Sequence, residues 1–187
     1  MEVQTVYFEK PGRQNTPEAL RIARRRAEEL GIRQVVLASS HGSTALAAAE
    51  AFRGTNIELI AVSISAAFGP EGWTMSPEER RRVEAQDVRL LTVQHGLADG
   101  VAEGFFGGVT PGTVMAETLR RFSQGLKVAV EVSIMAAEAG WLEAGREVVA
   151  LGGTDEGADT AVVLRPAFAR KIKELAVCEL LCKPRLP

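Results

Sequence analysis

The sequence predicts a three-layer α/β domain in which helices flank a mostly parallel β-sheet with an antiparallel edge. Short runs rich in β-branched residues alternate with longer segments of helical periodicity, which is typical of strand and helix units packed around a parallel sheet. No repeat, low-complexity segment or linker rich in Pro, Gly or Ser divides the chain. We therefore expect residues 1–187 to form one domain, long enough to bury roughly 70% of its unfolded surface.

Composition and charge exclude several classes of protein. The chain is 46% hydrophobic and 25% charged, close to the globular average, which excludes a disordered or fibrous chain. Its formal net charge of −2 provides no general attraction for nucleic acid or anionic membranes. The N-terminal stretch MEVQTVYFEK has no apolar segment of signal-peptide length, and no apolar run in the chain is long enough to span a bilayer. We therefore expect a cytoplasmic protein without nucleic-acid or membrane partners.

The first predicted helix has well-marked ends. It should cover residues 17–30, after a strand at residues 3–8. Thr16 can cap the free amides, Pro17 suits the first helical position, and Gly31 can adopt the left-handed conformation that ends a helix. Apolar side chains at spacings of three and four residues should face the core: Leu20, Ala23, Ala27 and Leu30.

The remaining elements continue the alternation of strands and helices. We expect strands at residues 34–37, 57–63, 88–93, 147–151, 159–164 and 172–181, and helices at 44–52, 77–85, 110–122 and 123–139. Ser76, Pro77 and Glu79 form a capping box at the start of one helix. The helix at 123–139 is apolar nearly all round, which indicates burial or a subunit contact. Short links between the last strands permit antiparallel pairing near a sheet edge.

The sharpest local signal is the loop between the second strand and the second helix, in the stretch VVLASSHGSTA. A helix N-terminus carries unpaired amides and positive dipole potential, and small residues there allow a phosphate to approach the backbone. The candidate residues are Ser39, Ser40, His41, Gly42, Ser43 and Thr44. Ser and Thr at this position could equally serve only to cap the helix. The stretch matches neither the P-loop nor the G-x-G-x-x-G pattern, so it specifies no nucleotide class.

A second signal is the glycine-rich stretch LGGTDEGADTA, which directly follows another strand. In open parallel sheets, ligands bind beyond the carboxyl ends of the strands, so both loops are expected on one rim. The residues predicted to line the remainder of a ligand are Gly152, Gly153, Thr154, Asp159 and Thr160. A hairpin connection would also explain the glycines.

Catalytic and metal sites are not indicated. No Ser/His/Asp set, paired acidic motif or HExxH pattern is present, so catalytic residues remain unassigned. Cys178 and Cys182, with the distant His41 and His95, do not form a zinc pattern. Glu131 interrupts an apolar helix, and we interpret it as the ion-pair partner of Lys127, four residues earlier.

The two loops resemble those of the pyruvate kinase C-terminal, or alpha/beta, domain. The stretch ASSHGSTA is similar to the loop that grips a phosphate of a sugar bisphosphate effector in pyruvate kinases, and LGGTDEGADT is similar to their later effector-contacting loop. The match to stand-alone archaeal and bacterial members runs from about residue 16 to residue 184 and includes RRFSQGLKVAVEVSIMAAEAG and the closing CKPR.

The resemblance implies a phosphate-bearing small-molecule ligand, with FMN as the suspected cofactor and its phosphate at the first loop. Kinase chemistry is not implied, because the catalytic barrel of pyruvate kinase is missing. The stretch Ser63-Ile64-Ser65 departs from the His-containing version in relatives, which weakens any role for a histidine there. Alternative hypotheses are a regulatory or sensor module for a sugar phosphate or nucleotide, and a purely structural oligomer. A homo-oligomer is expected in each case.

Overall fold

The computed structural model describes residues 2–97 and 100–186, which form a seven-stranded sheet between two layers of helices. The strands are β1 (Val6–Phe8), β2 (Gln34–Ala38), β3 (Glu58–Ser63), β4 (Arg89–Thr92), β5 (Val148–Gly152), β6 (Thr160–Arg165) and β7 (Ala176–Pro184). The helices are α1 (Thr16–Leu30), α2 (Ser43–Ala51), α3 (Pro77–Glu84), α4 (Val101–Phe106), α5 (Pro111–Arg120) and α6 (Gln124–Glu138). Short 3-10 turns cover Arg13–Asn15, Ala66–Phe68 and Ala169–Glu174.

The sheet is mixed, and its strand order is β1-β7-β6-β5-β2-β3-β4. Strand β2 pairs in parallel with both β5 and β3, and β3 pairs in parallel with β4. The short connections after β5 and β6 produce the antiparallel pairing that the sequence predicts. Strand β1 adds in parallel to β7 and forms the outermost strand on that side. The three-layer, mostly parallel α/β architecture is therefore confirmed.

The two faces of the sheet carry separate cores. Successive side chains of a strand point to opposite faces, so Val35 and Leu37 pack with α1, α2 and α3, whereas Val36 packs with α5 and α6. Both faces of β2 are thus buried, as in parallel sheets that carry helices on both sides. Helix α6 is buried along most of its length, which places this apolar helix in the second core.

Some of the helix ends predicted from the sequence are confirmed by the structure, and others are not. Gly31 is left-handed after α1, with φ of 65°, and the Ser76 and Glu79 capping box opens α3. The predicted cap at Thr16 is wrong, because Thr16 is the first residue of α1 and Asn15 takes the N-cap position without a side-chain hydrogen bond. The Thr16 hydroxyl instead accepts a hydrogen bond from the Ala158 amide at 2.9 Å. Leu30 is 37% exposed and does not complete the core stripe.

Helix α4 is not predicted by the sequence pattern, and its apolar side chains face solvent. Phe105 and Phe106 are 82% and 81% exposed, and Val101 is 75% exposed. The aromatic run at the end of this helix therefore lies on the surface, and Gly107 follows it in the left-handed conformation. No helix within residues 2–97 and 100–186 has the length and apolar character to cross a membrane.

Both cysteines are free thiols with no metal partners among the described residues. Cys178 is exposed and Cys182 is buried, and burial raises the pKa of the Cys182 thiol to about 12. Within the same part of the chain, no group of three or more His, Cys, Asp or Glu side chains is placed to hold a metal ion.

An ion pair between α1 and β7 generates a pH-dependent prediction. The Arg26 guanidinium donates to both carboxylate oxygens of Glu179, at 2.7 and 2.8 Å, and these hydrogen bonds hold the pKa of Glu179 below its usual range. A carboxyl whose pKa is lower in the folded state stabilises the fold above its unfolded-state pKa, and this stabilisation disappears as the pH falls through the folded-state pKa. We expect Glu179→Gln to lower the free energy of unfolding by about 1 kcal/mol at neutral pH.

Denaturant titrations at neutral pH and near about pH 3 check this expectation. The difference between Glu179→Gln and the unmodified protein should shrink at the lower pH. Glu143→Gln is the matched control, since Glu143 pairs with Arg146 while both side chains are more than half exposed. A stability loss that is equal at both pH values would contradict the assignment to this carboxylate.

Candidate functional site

A cavity of about 510 Å³ lies beyond the carboxyl ends of β2 and β3. The loop that precedes α2 forms one wall, buried and half-buried side chains of α6 form the opposite wall, and the glycine-rich turn after β5 closes one end. The structure thus brings together the two loops that the sequence analysis selected, although more than 100 residues separate them in the chain.

The sheet topology explains why the cavity forms here. Strands β2 and β5 are parallel neighbours, but the chain leaves β2 towards β3 and leaves β5 towards β6, on the other side. The two loops therefore diverge and leave a crevice between them. This is the topological switch point at which open α/β sheets bind ligands.

The start of α2 presents unpaired backbone donors. Gly42 has φ of 86°, and a Cβ atom there would lie 2.8 Å from the Val83 side chain, so the turn requires glycine. The Ser39 hydroxyl, which lies before the helix, accepts a hydrogen bond from the Ala45 amide in its first turn, at 3.1 Å. The amides of Ser43 and Thr44, in the first helical turn, have no acceptor within the part of the chain that the structure describes. The capping interpretation therefore applies to Ser39, and two amides remain available.

The other side chains of this loop differ in exposure. Ser40, His41 and Ser43 are exposed, whereas Thr44 is buried; all four line the cavity. The His41 Nδ1 atom lies 3.6 Å from Glu79, whose pKa is lowered by the hydrogen bond from the Ser76 amide. Hydroxyl groups and amides thus converge at one end of the cavity.

Four of the five residues predicted from the glycine-rich stretch do not line the cavity: Gly152, Thr154, Asp159 and Thr160. Asp159 is fully buried, and one of its oxygens accepts from the amides of Gly12 and Thr154, at 2.9 and 3.2 Å. The Thr160 hydroxyl lies 3.0 Å from that of Ser123, which caps α6. These side chains hold the turn and α6 in place.

The part of the turn that reaches the cavity is Gly153 with residues 155–157. At Gly157, φ is 79° and a Cβ atom would lie 2.4 Å from the Thr16 hydroxyl oxygen. Glu156 is paired with Arg13 at 3.2 Å, with both side chains largely exposed. The turn thus contributes two glycines and two acidic residues, Asp155 and Glu156, to the cavity wall.

The structure places a group of stacked aromatic rings at the cavity, which the sequence did not predict. Trp73 and His95 line the cavity, and the Phe68 ring stacks on both, with centroid distances of 5.5 and 5.3 Å. Trp73 is 53% exposed. The sequence shows only that residues 66–75 form a loop rich in Gly and Pro, and nothing in the local pattern indicates that its tryptophan reaches the cavity.

A buried ion pair on α6 also lines the cavity. Lys127 and Glu131 are 7% and 5% exposed in their side chains and form the predicted salt bridge. The sequence signal that could have revealed their position is the presence of two charges, four residues apart, in the mostly apolar middle of the helix.

The sequence matches the family described as Pyruvate kinase, alpha/beta domain over residues 18–164. The chain belongs to this family. Similar solved structures include a pyruvate kinase from Cryptosporidium parvum, at 14% identity and a TM-score of 0.42 over 81% of this chain. Another is Cryptosporidium parvum pyruvate kinase in complex with ADP, at 15% identity and a TM-score of 0.41 over 81% of this chain. The chain covers 23% and 24% of the length of these two pyruvate kinases.

The buried position of Asp159 generates a prediction about stability. Asp159→Ala removes the acceptor of two amides, and unsatisfied buried donors are costly, so the free energy of unfolding should fall by about 2 kcal/mol or more. Glu156→Ala, in the same turn but largely exposed, is the control and should change stability by less than about 0.5 kcal/mol. Thermal or denaturant unfolding measures both. A fully stable Asp159→Ala protein would contradict the structural role.

Proposed function

We propose that this member of the pyruvate kinase alpha/beta domain family binds a phosphorylated small molecule in the cavity, with FMN as the first candidate. The observation that carries the proposal is the pair of unpaired amides at the start of α2, which belong to Ser43 and Thr44, two residues that line the cavity. A helix N-terminus with free amides is a site for anionic oxygen. The hydroxyls of Ser40 and Ser43 provide further donors beside it.

The size of the cavity supports a ligand larger than inorganic phosphate. Its volume of about 510 Å³ falls within the range of small-molecule sites in proteins, about 300 to 1,000 Å³. Aliphatic side chains of Val62, Val128 and Val132 contribute to its wall. The cavity therefore combines a polar end with an apolar body, which suits an organic phosphate.

The aromatic group supports a planar ring system in the ligand. Trp73 is stacked on Phe68, with 14° between the ring planes, and half of its surface remains exposed beside the cavity. Aromatic side chains favour offset stacking with other planar rings. FMN combines a planar ring system with a phosphate, whereas the saturated ring of a sugar phosphate is neither planar nor aromatic.

Flavin binding can be measured directly. Titration of the purified protein into FMN is expected to quench flavin fluorescence and to saturate, and riboflavin should bind about tenfold or more weakly because it lacks the phosphate. If sugar phosphates raise the melting temperature and FMN has no effect, the ligand is a sugar phosphate and not FMN. No response to either ligand would overturn the proposal.

Substitution of Ser43 tests the phosphate position without disturbing the fold. Ser43→Asp places a negative charge in the first turn of α2, which stabilises the helix by about 0.3–1 kcal/mol but repels phosphate. We expect a loss of FMN affinity of about 10- to 100-fold, with an unchanged or slightly raised melting temperature and unchanged riboflavin affinity. Ser43→Asn, similar in size but neutral, should bind FMN within a few-fold of the unmodified protein. Tight FMN binding by Ser43→Asp would place the phosphate elsewhere.

A further inference from the structure

The ammonium group of Lys127 is buried and only partly satisfied. Its side chain is 7% exposed and lines the cavity, and Glu131 is its hydrogen-bond partner. A lysine ammonium carries three donors, and no second acceptor for it exists within residues 2–97 and 100–186. Buried donors without partners are costly. Two N–H groups thus remain for an acceptor inside the cavity.

Glu131 holds this ammonium in place. One of its carboxylate oxygens accepts from Lys127, and the other accepts from the Leu97 amide at 3.2 Å. The carboxylate is therefore fixed at both oxygens, and one turn of α6 separates it from the lysine. Glu131 acts as a positioning residue that sets the direction of the Lys127 side chain.

Lys127 and the start of α2 belong to opposite sides of the sheet. Helix α2 packs in the core that contains Val35 and Leu37, whereas α6 packs in the core that contains Val36. Both helices reach the cavity at the carboxyl end of β2. The cavity therefore has two separate groups of donors, the α2 amides on one wall and Lys127 on the other.

We propose that Lys127 determines ligand specificity by donating to a carbonyl or anionic oxygen on the part of the ligand remote from its phosphate. This inference rests on the proposed function, since it takes the α2 amides as the phosphate site. It restricts the ligand to organic phosphates that carry such an oxygen on their other end. The ring carbonyls of FMN meet this requirement, whereas simple sugar phosphates offer mainly hydroxyl groups.

The double variant Lys127→Met/Glu131→Gln tests the proposal. It removes both charges at similar volume, which is often neutral for stability, and the side-chain amide introduced by Glu131→Gln retains an oxygen that can accept from the Leu97 amide. We expect FMN and riboflavin to lose affinity equally, by about 10- to 100-fold, because a hydrogen bond from a charged donor is lost. The control is Glu117→Gln/Arg121→Met, which removes a similarly spaced but exposed pair and should leave both affinities unchanged.

Each outcome of the titrations has a distinct meaning. A loss confined to FMN would place Lys127 on the phosphate and overturn the proposal, and so would unchanged affinity for both ligands. If the unmodified protein binds neither flavin, the proposed function fails and this inference with it. If the unmodified protein binds FMN and the double variant binds FMN and riboflavin with unchanged affinity, the role of Lys127 is contradicted while the proposed function stands.

The unmodified protein provides a second measurement that requires no variant. Infrared difference spectra of bound FMN, labelled with ¹³C at its ring carbonyls, report the hydrogen bonds to those oxygens. A charged donor forms a stronger hydrogen bond than a neutral one, so one carbonyl band should lie at lower frequency than in water. Bands at or above their frequency in water would overturn the contact.

Discussion

The close packing of the start of α6 on the ends of β5 and β6 is the contact on which the cavity depends. A Cβ atom at Gly152 would lie 2.2 Å from the Gly125 carbonyl oxygen, and one at Gly125 would lie 2.4 Å from the Thr160 hydroxyl oxygen. Because both residues lack a Cβ atom, the backbone of α6 can pack directly against the backbone at the ends of these strands. Since α6 carries one whole wall of the cavity, this contact sets the position of that wall.

Asp159 extends the same contact to the N-terminal part of the chain. It joins the turn after β5 to Gly12, just before α1, while Thr16 accepts from the amide of Ala158. The Thr160 hydroxyl donates to Asp159 and also contacts the hydroxyl of Ser123, which caps α6. These hydrogen bonds therefore connect α1, the turn and α6 in one network. Polar groups in such a network rigidify their surroundings when they are satisfied, and here they support a loop whose inner residues are exposed to the cavity.

The sequence predicts the architecture because its signals are local. Strands such as β2 and β5 are continuous apolar runs, which is the pattern of strands buried on both faces, and the capping box at Ser76 marks a helix start by its own chemistry. The first loop is predicted for the same reason, since small residues that follow a strand and precede a helix already specify a helix N-terminus.

The remainder of the site depends on which long-range neighbour each side chain meets. Asp159 and Thr160 look available in the sequence because they follow a glycine-rich turn, but strand pairing points them into the fold towards Gly12 and Ser123. The hydroxyl of Thr16 faces a segment more than 140 residues away. Trp73 lies in a loop rich in Gly and Pro, and no local pattern specifies that its side chain reaches the cavity. The prediction of a homo-oligomer remains a prediction, and α6 is buried within this chain rather than exposed for a subunit contact.

The buried pair of Lys127 and Glu131 is difficult to explain by stability alone. Desolvation of two charges in an interior often costs as much as their attraction returns, and apolar residues of similar volume commonly stabilise a fold equally well or better. Helix α6 is apolar at nearly every other buried position, so an apolar pair would fit its surroundings. A cation that is held by a carboxylate and lines a cavity is nevertheless useful for ligand recognition. Its orientation is set before the ligand binds, so little side-chain entropy is lost on binding. The energetic cost of the pair is therefore consistent with a role in ligand selection, whereas the glycine contacts and the Asp159 network account for the shape of the cavity.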